Sequence, residues 1–229
     1  MSSEIQALQA RWEAFHAKLK ERVRAILEEA EPGCLAVFEQ GGFDPFTLSN
    51  VLPALKRRLF DLVETAENTW TTQMDPALGR AAAGPEVVDR EYDKLQALRA
   101  WTEAELEAFE VRLHATASRI LWARLGPTVP TRLNCTQCGS PMELPVAFVV
   151  VSVHCPSCTS VNTFNPGPAA LLDSYAIRHL AHEEVWEIRT GAEPMPKPQR
   201  LRETSTYQAE VEAWERRYGM RDYPIRAPY

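Results

Sequence analysis

The 229-residue chain contains no uninterrupted apolar run near the roughly 18 residues that a membrane helix requires, so no spanning segment is expected. It also lacks a basic surplus. Lys and Arg total 25 against 31 Asp and Glu, a net charge of −6, which argues against a protein built to neutralise phosphates. The opening residues, Met1 to Leu8, do not show the basic-then-apolar order of a signal peptide, and a soluble, cytoplasmic protein is expected. Internal repeats, low-complexity segments, a Gly-rich phosphate loop and a nucleophile elbow are all missing. Nothing selects an acid–base pair from the 31 carboxylates. Cysteine is scarce, and its odd count of 5 in a chain without an export signal does not fit a disulfide framework.

What the chain does have is helical patterning. Ile5, Leu8, Trp12, Phe15, Leu19, Val23 and Ile26 recur at steps of three and four, and Glu31-Pro32-Gly33 is expected to stop that helix. The pattern returns with Leu48, Leu52, Leu55, Leu59, Leu62, Ala66 and Trp70, with Pro53 placing the regular start or a kink near Asn50. A loop is expected from Asp75-Pro76 through Gly84-Pro85. A third stripe runs from Leu95 through Thr102, Phe109 and Leu113 to Ile120 with a mean step of about 3.6 residues, the period of a straight helix. A helix over 86–125 would be about 60 Å long. Three amphipathic helices with short breaks predict an antiparallel bundle over 1–126, with Trp12, Trp70, Trp101 and Trp122 in its core. The sharper reading of the same pattern is a hairpin that presents its tip, residues 75–85, to a partner.

Composition changes at Gly126-Pro127. Residues 127–170 carry one basic residue, Arg132, and one acidic residue, Glu143. The run Val146 to Val153 is rich in β-branched residues without alternation, which predicts a strand covered on both faces. Helical patterning resumes over 171–188, a Pro-rich connector follows at 193–198, and a last amphipathic helix uses Leu201, Thr204, Tyr207, Val211, Trp214 and Tyr218 before an extended tail. The expected organisation is a bundle (1–126), a small β module (127–168), a helix packed on it (169–192), and a connector, helix and tail (193–229). The fold class is therefore mainly α, a long helical bundle with a small β insertion and C-terminal helices.

Four of the five cysteines form two Cys-x2-Cys pairs, Cys135/Cys138 and Cys155/Cys158, separated by 16 residues. Thiolates three positions apart clasp one ion from a tight turn whose amides also point at the sulfurs, and Gly139 suits the positive φ of such a turn. Four thiolates around one centre select Zn²⁺, tetrahedral and closed, so one structural zinc is expected and a catalytic one is not. The segment 131–165, about a seventh of the chain, resembles the four-cysteine zinc ribbon built from two rubredoxin-like knuckles, and the likeness extends to no whole-chain family. The resemblance implies a hairpin of Met142–Leu144 with Val146–His154, and Val161–Phe164 as a third strand. Zinc supplies the folding free energy of so small a module.

This ribbon offers Phe148 but no Lys or Arg between Arg132 and Arg178, and its zinc–tetrathiolate centre carries a formal −2, so nucleic-acid binding through it is not expected. His154 is expected to face away from Cys155. His179 and His182, with Glu183 beside them, have a spacing that could share a metal, but they read as a polar surface turn without a further ligand. Cys34 reads as a buried core thiol. The leading expectation is a non-enzymatic adaptor or regulator with a protein partner; the long helices also suit a homo-oligomer. A second reading rests on likeness to the bacterial regulators that insert a coiled-coil tip into the secondary channel of RNA polymerase. In that reading Asp75 would be the acidic residue at the tip. A third is an enzyme with a site near His179 and His182. Ala, Arg and Glu usage points to a GC-rich bacterial source.

Overall fold

The computed structural model describes residues 3–144, 148–192 and 205–218. The chain is mainly helical, with two small antiparallel hairpins, and it divides into two compact units whose boundary falls between Glu110 and Val111.

In the first unit, helix α1 (Ser3–Gln40) continues through Pro32, where a stop is expected from sequence. Its apolar stripe carries on past the proline, burying Cys34 and Phe38 in line with Leu27, while Pro32 and Glu28 lie on the exposed side. A proline inside a helix costs about 3 kcal/mol when its ring and lost hydrogen bond cannot be accommodated. On a solvent face water satisfies the freed carbonyl, and burial of Phe38 offsets the remainder. Gly42, just beyond the helix, closes it off with a φ of 72° that glycine adopts without a Cβ penalty. Phe43 N–H then reaches Phe38 O at 2.9 Å, and the two rings meet edge to face at 5.6 Å.

Helix α2 (Phe46–Thr69) begins ahead of the expected Asn50 and holds Pro53 inside. No loop opens at Asp75-Pro76. A wide π-helical turn, Trp70–Met74, leads directly into helix α3 (Asp75–Arg80), with Asp75 N–H bonded back to Trp70 O. The turn rewinds the ladder ahead of Pro76, which has no N–H to contribute. It also keeps Trp70, Met74 and Leu78 buried on one stripe. The connection shrinks to the four residues 81–84, closed by Ala83 N–H on Leu78 O at 3.0 Å with Ala82 at φ 51°. Helix α4 (Pro85–Leu125) follows, close to the expected bounds.

Side-chain pairs give the direction of packing. Glu29 with Arg58 and Trp12 with Trp70 set α2 antiparallel to α1. Gln9 with Glu91 and Glu13 with Lys94 set the start of α4 parallel to α1. Trp12, Trp70, Met74, Leu78, Leu95 and Leu98 share one core. Trp101 is only half-buried, its ring covered by Lys20 and Arg24 at 5.2 Å each. Glu91, fully buried, is held by Gln9 at 2.8 Å and by Lys94.

The second unit takes the remainder of α4. Here Val111, Leu113, Ala115, Ala117 and Leu121 are buried, so the helix is covered on several sides. Strands β1 (Arg132–Asn134) and β2 (Pro141–Glu143) pair antiparallel, as do β3 (Val151–His154) and β4 (Val161–Phe164). The pairing differs from the expected one: each Cys-x2-Cys turn is the loop of its own hairpin, and β2 does not pair with β3. The run expected as one buried strand over 146–153 is likewise not continuous. Val146 lies outside the described residues, Val149 and Val150 are 38% and 62% exposed, and Phe148, Val151 and Val153 pack inward. Leu144 and Phe164 form a small core under the hairpins, joined by Phe148, whose ring lies 5.5 Å from that of the half-buried Trp122.

A second π-helical stretch, Leu172–Ile177, leads into helix α5 (Arg178–Ala192), and helix α6 (Ser205–Tyr218) packs antiparallel on α5 through His182 with Tyr207 and Arg178 with Glu215. Tyr207 and Val211 are buried as their spacing predicts. The connector at 193–198, Leu201, Thr204 and the tail lie outside the described residues. No helix among the described residues is long and apolar enough to cross a membrane.

Candidate metal centre

Each knuckle is built the same way. Cys135 N–H donates to Ser140 O at 2.9 Å, and Gly139 N–H donates to Cys135 O at 2.9 Å, with Gly139 at φ 75°. In the second knuckle Cys155 N–H donates to Ser160 O at 2.9 Å and Thr159 N–H to Cys155 O at 3.0 Å. Thr159 takes the left-handed place at φ 61°, a conformation that a β-branched residue adopts only when its surroundings impose it. The sequence signalled the first turn through Gly139 and gave no such signal for the second.

The hairpins bring Cys135, Cys138, Cys155 and Cys158 together with their sulfurs all within 4.8 Å of one another. Cys135 Sγ lies 3.6 Å from Cys158 Sγ, and Cys138 Sγ lies 3.6 Å from Cys155 Sγ. Tetrahedral zinc with bonds of about 2.3 Å requires sulfurs about 3.8 Å apart, close to the two 3.6 Å separations, so the four cysteines are placed to hold a metal ion of this kind. Cys135 and Cys155 are buried, Cys158 is half-buried and Cys138 is exposed.

The electrostatics suit thiolates. The Ser160 hydroxyl, 3.1 Å from Cys135 Sγ, together with the Cys138 and Gln137 amides, lowers the Cys135 thiol to about 5. The Ser140 hydroxyl, 3.4 Å away, and the Ser140 amide lower Cys138. At Cys155 the Cys158 amide pulls downward, but burial and the sulfurs of Cys138 and Cys135 leave the thiol raised. Four sulfurs this close cannot all carry charge without a cation between them, which is the need that a divalent ion meets.

Three supporting residues had no signal in the cysteine spacing. Ser160 Oγ also lies 3.0 Å from Cys158 Sγ, so one hydroxyl bridges the two knuckles. Asn162, 4% exposed, points inward from β4. Its Oδ1 accepts from Thr136 N–H at 2.8 Å and from Thr136 Oγ1 at 2.9 Å. Its Nδ2 donates to Ser160 O at 3.2 Å and lies 3.5 Å from Cys135 Sγ. Asn162 therefore ties the second hairpin to the first knuckle, the place that outer-shell partners take around metal ligands.

The remaining candidates fall elsewhere. His154 is exposed on the outer face opposite Val161, as alternation predicts. Cys34 is buried in α1, where burial first and the Glu31 charge second raise its thiol. Asp75 opens α3 and lies outside the connection at 81–84. The expectation of a polar surface turn at His179, His182 and Glu183 is corrected. Glu183 is buried and paired with Arg119, and both histidines are half-buried. His179 stacks on His114 at 4.5 Å, and His182 stacks on Tyr207 at 5.6 Å. Helix periodicity places these groups on one face but cannot reveal that α4 and α6 cover it. Among the described residues they form no metal-ligating group, and the four cysteines alone do so.

Compared with known protein families, with curated proteins and with solved structures, the chain matches none.

Proposed function

We propose that the protein is a non-enzymatic adaptor or regulator whose ribbon, held by one structural Zn²⁺, presents a surface of exposed valines with little charge to a protein partner in the cytoplasm. The observation that carries this reading is the exposure of Val149, Val150 and Val161, at 38%, 62% and 58%, in the segment with the fewest charges in the chain. Its two charged residues, Arg132 and Glu143, stand 3.9 Å apart and offset one another. Such a surface offers phosphate no attraction, and covering each valine contributes about 1.5 kcal/mol or more. A closed tetrathiolate leaves no coordination position for a reacting water.

The test places a photoreactive p-benzoylphenylalanine at Val161 in the full-length, zinc-loaded chain and irradiates host cells. A discrete adduct that disappears when Val150→Asp is added supports the reading. An adduct at twice 25.8 kDa identifies a second copy of the chain as the partner. Absence of any adduct from a chain with full zinc occupancy overturns it. Cys155→Ser, which removes a ligand, is expected to abolish both zinc and adduct, and Cys34→Ser to abolish neither.

A further inference from the structure

The first unit carries an open pocket of about 510 Å³, lined by none of the metal-centre residues. Its volume lies within the range of small-ligand pockets. One wall is the α1 face formed by Leu8, Arg11, Trp12 and Phe15, at the spacing of one helical stripe. The facing wall comes from the π-helical turn and α3, through Gln73, Met74, Ala77 and Arg80 among others. The turn has a specific consequence here. It keeps Trp70 and Leu78 in the core while bringing Thr72 and Gln73 to the cavity, and such turns recur at functional sites.

The charge of the lining sets the ligand class. In a chain with net charge −6, this cavity is lined by two arginines and no carboxylate. Neither Arg11 nor Arg80 makes an ion pair or a hydrogen bond among the described residues. The Thr72 hydroxyl is already committed to Asn68 O at 2.7 Å, so the guanidinium groups are the strong donors left to a ligand. The apolar lining is Leu8 and Phe15 with the edges of Trp12 and Met74, which are 3% and 6% exposed, and the Trp12 and Phe15 rings lie 5.6 Å apart and 21° from parallel. A flat apolar body fits against such rings, and an anionic head fits the arginines.

We propose that this cavity binds a small organic anion, its aromatic or aliphatic body on Trp12, Phe15 and Met74 and its carboxylate or phosphate held by Arg11 and Arg80. Binding at this site leaves the ribbon's zinc untouched.

Two probes with the same ring system separate the charge from the apolar contribution. 1-Anilinonaphthalene-8-sulfonate is anionic and N-phenyl-1-naphthylamine is neutral. Each is titrated into the full-length chain and followed by energy transfer from tryptophan, since Trp12 lines the cavity and Trp70 stands 5.8 Å from it. The sulfonate is expected to bind at one site and at least about tenfold more tightly than the neutral probe. Arg11→Gln and Arg80→Gln, both at exposed positions, each weaken the sulfonate about tenfold and leave the neutral probe and the melting temperature unchanged. Ala77→Phe, which fills the cavity, abolishes both signals. Displacement by 1-naphthoate or by 1-naphthyl phosphate shows which head group the arginines prefer. Equal affinity for the two probes, sulfonate binding indifferent to both arginine variants, or no displacement by either naphthyl anion would overturn the proposal.

Discussion

Asn162→Ala is the substitution that most directly tests how the ribbon holds its ligands. The side chain is 4% exposed, whereas its partner Thr136 is exposed, so each bond is counted at its ordinary net value rather than as a fully buried one. The two bonds accepted by Oδ1, at 2.8 and 2.9 Å, have full-strength geometry, whereas the 3.5 Å approach of Nδ2 to Cys135 Sγ is long. At about 0.5–1.5 kcal/mol each, the two good bonds amount to about 1–3 kcal/mol. Loss of an outer-shell partner typically weakens a metal about 10–100-fold, or about 1.4–2.8 kcal/mol, and the two routes agree. Zinc affinity is read by competition with a chromophoric chelator at pH 7, and the cobalt-substituted protein reports on tetrahedral geometry. Asn162→Ala is expected to weaken zinc by about 10–100-fold while the cobalt spectrum stays tetrahedral. Asn162→Asp adds a charge beside the sulfurs and is expected to be at least as weak. Asn134→Ala, at an exposed position of β1, serves as the control and leaves affinity unchanged. Zinc retained within twofold by Asn162→Ala, or an equal loss in the Asn134 control, refutes the role given to Asn162.

Glu183→Gln leaves Arg119 buried without its countercharge and is expected to cost about 3–5 kcal/mol in urea unfolding, whereas the double replacement Arg119→Met with Glu183→Met recovers most of that loss; strict additivity would count against a coupled pair. His16 is buried against the Trp12 ring, and burial first, then the Lys20 and Lys94 charges, lower it from 6.5 to about 4. Between these values the unfolded chain binds the proton and the folded one does not, so stability falls as pH drops from 6.5 towards 4. The loss attributable to His16 is about 2 kcal/mol after solvent screening is allowed for, and the stability difference between wild type and His16→Phe, measured at pH 7 and pH 4, should change by that amount. A difference that does not vary with pH would show that His16 is not the group responsible.

The sequence by itself determined the donor set and the helical stripes. Two Cys-x2-Cys pairs specify a tetrathiolate because the ligand geometry is local: residues three apart in a tight turn present two sulfurs whatever surrounds them. The stripes through Leu19, Leu59 and Leu113 were legible because burial on one helical face leaves a period of 3.6, and all three are buried. Breaks were read less well. Pro32 and Pro76 look like stops in isolation, yet α1 continues because Pro32 faces solvent while Cys34 and Phe38 are buried, and the π-helical turn leads into α3 because Pro76 stands in that helix's first turn, where its missing N–H costs little.

Strand pairing, the place of Asn162 and the burial of Glu183 were decided only by the tertiary structure. A run of valines fixes neither register nor partner, and here the knuckles close their own hairpins and leave Val150 outside. Asn162 earns its place through bonds to Thr136, 26 residues away. Glu183 meets Arg119 across 64 residues. The cavity joins the Arg11 face of α1 to Arg80 of α3. Each depends on which helix or hairpin lies opposite, and a period within one segment carries no information about its neighbour.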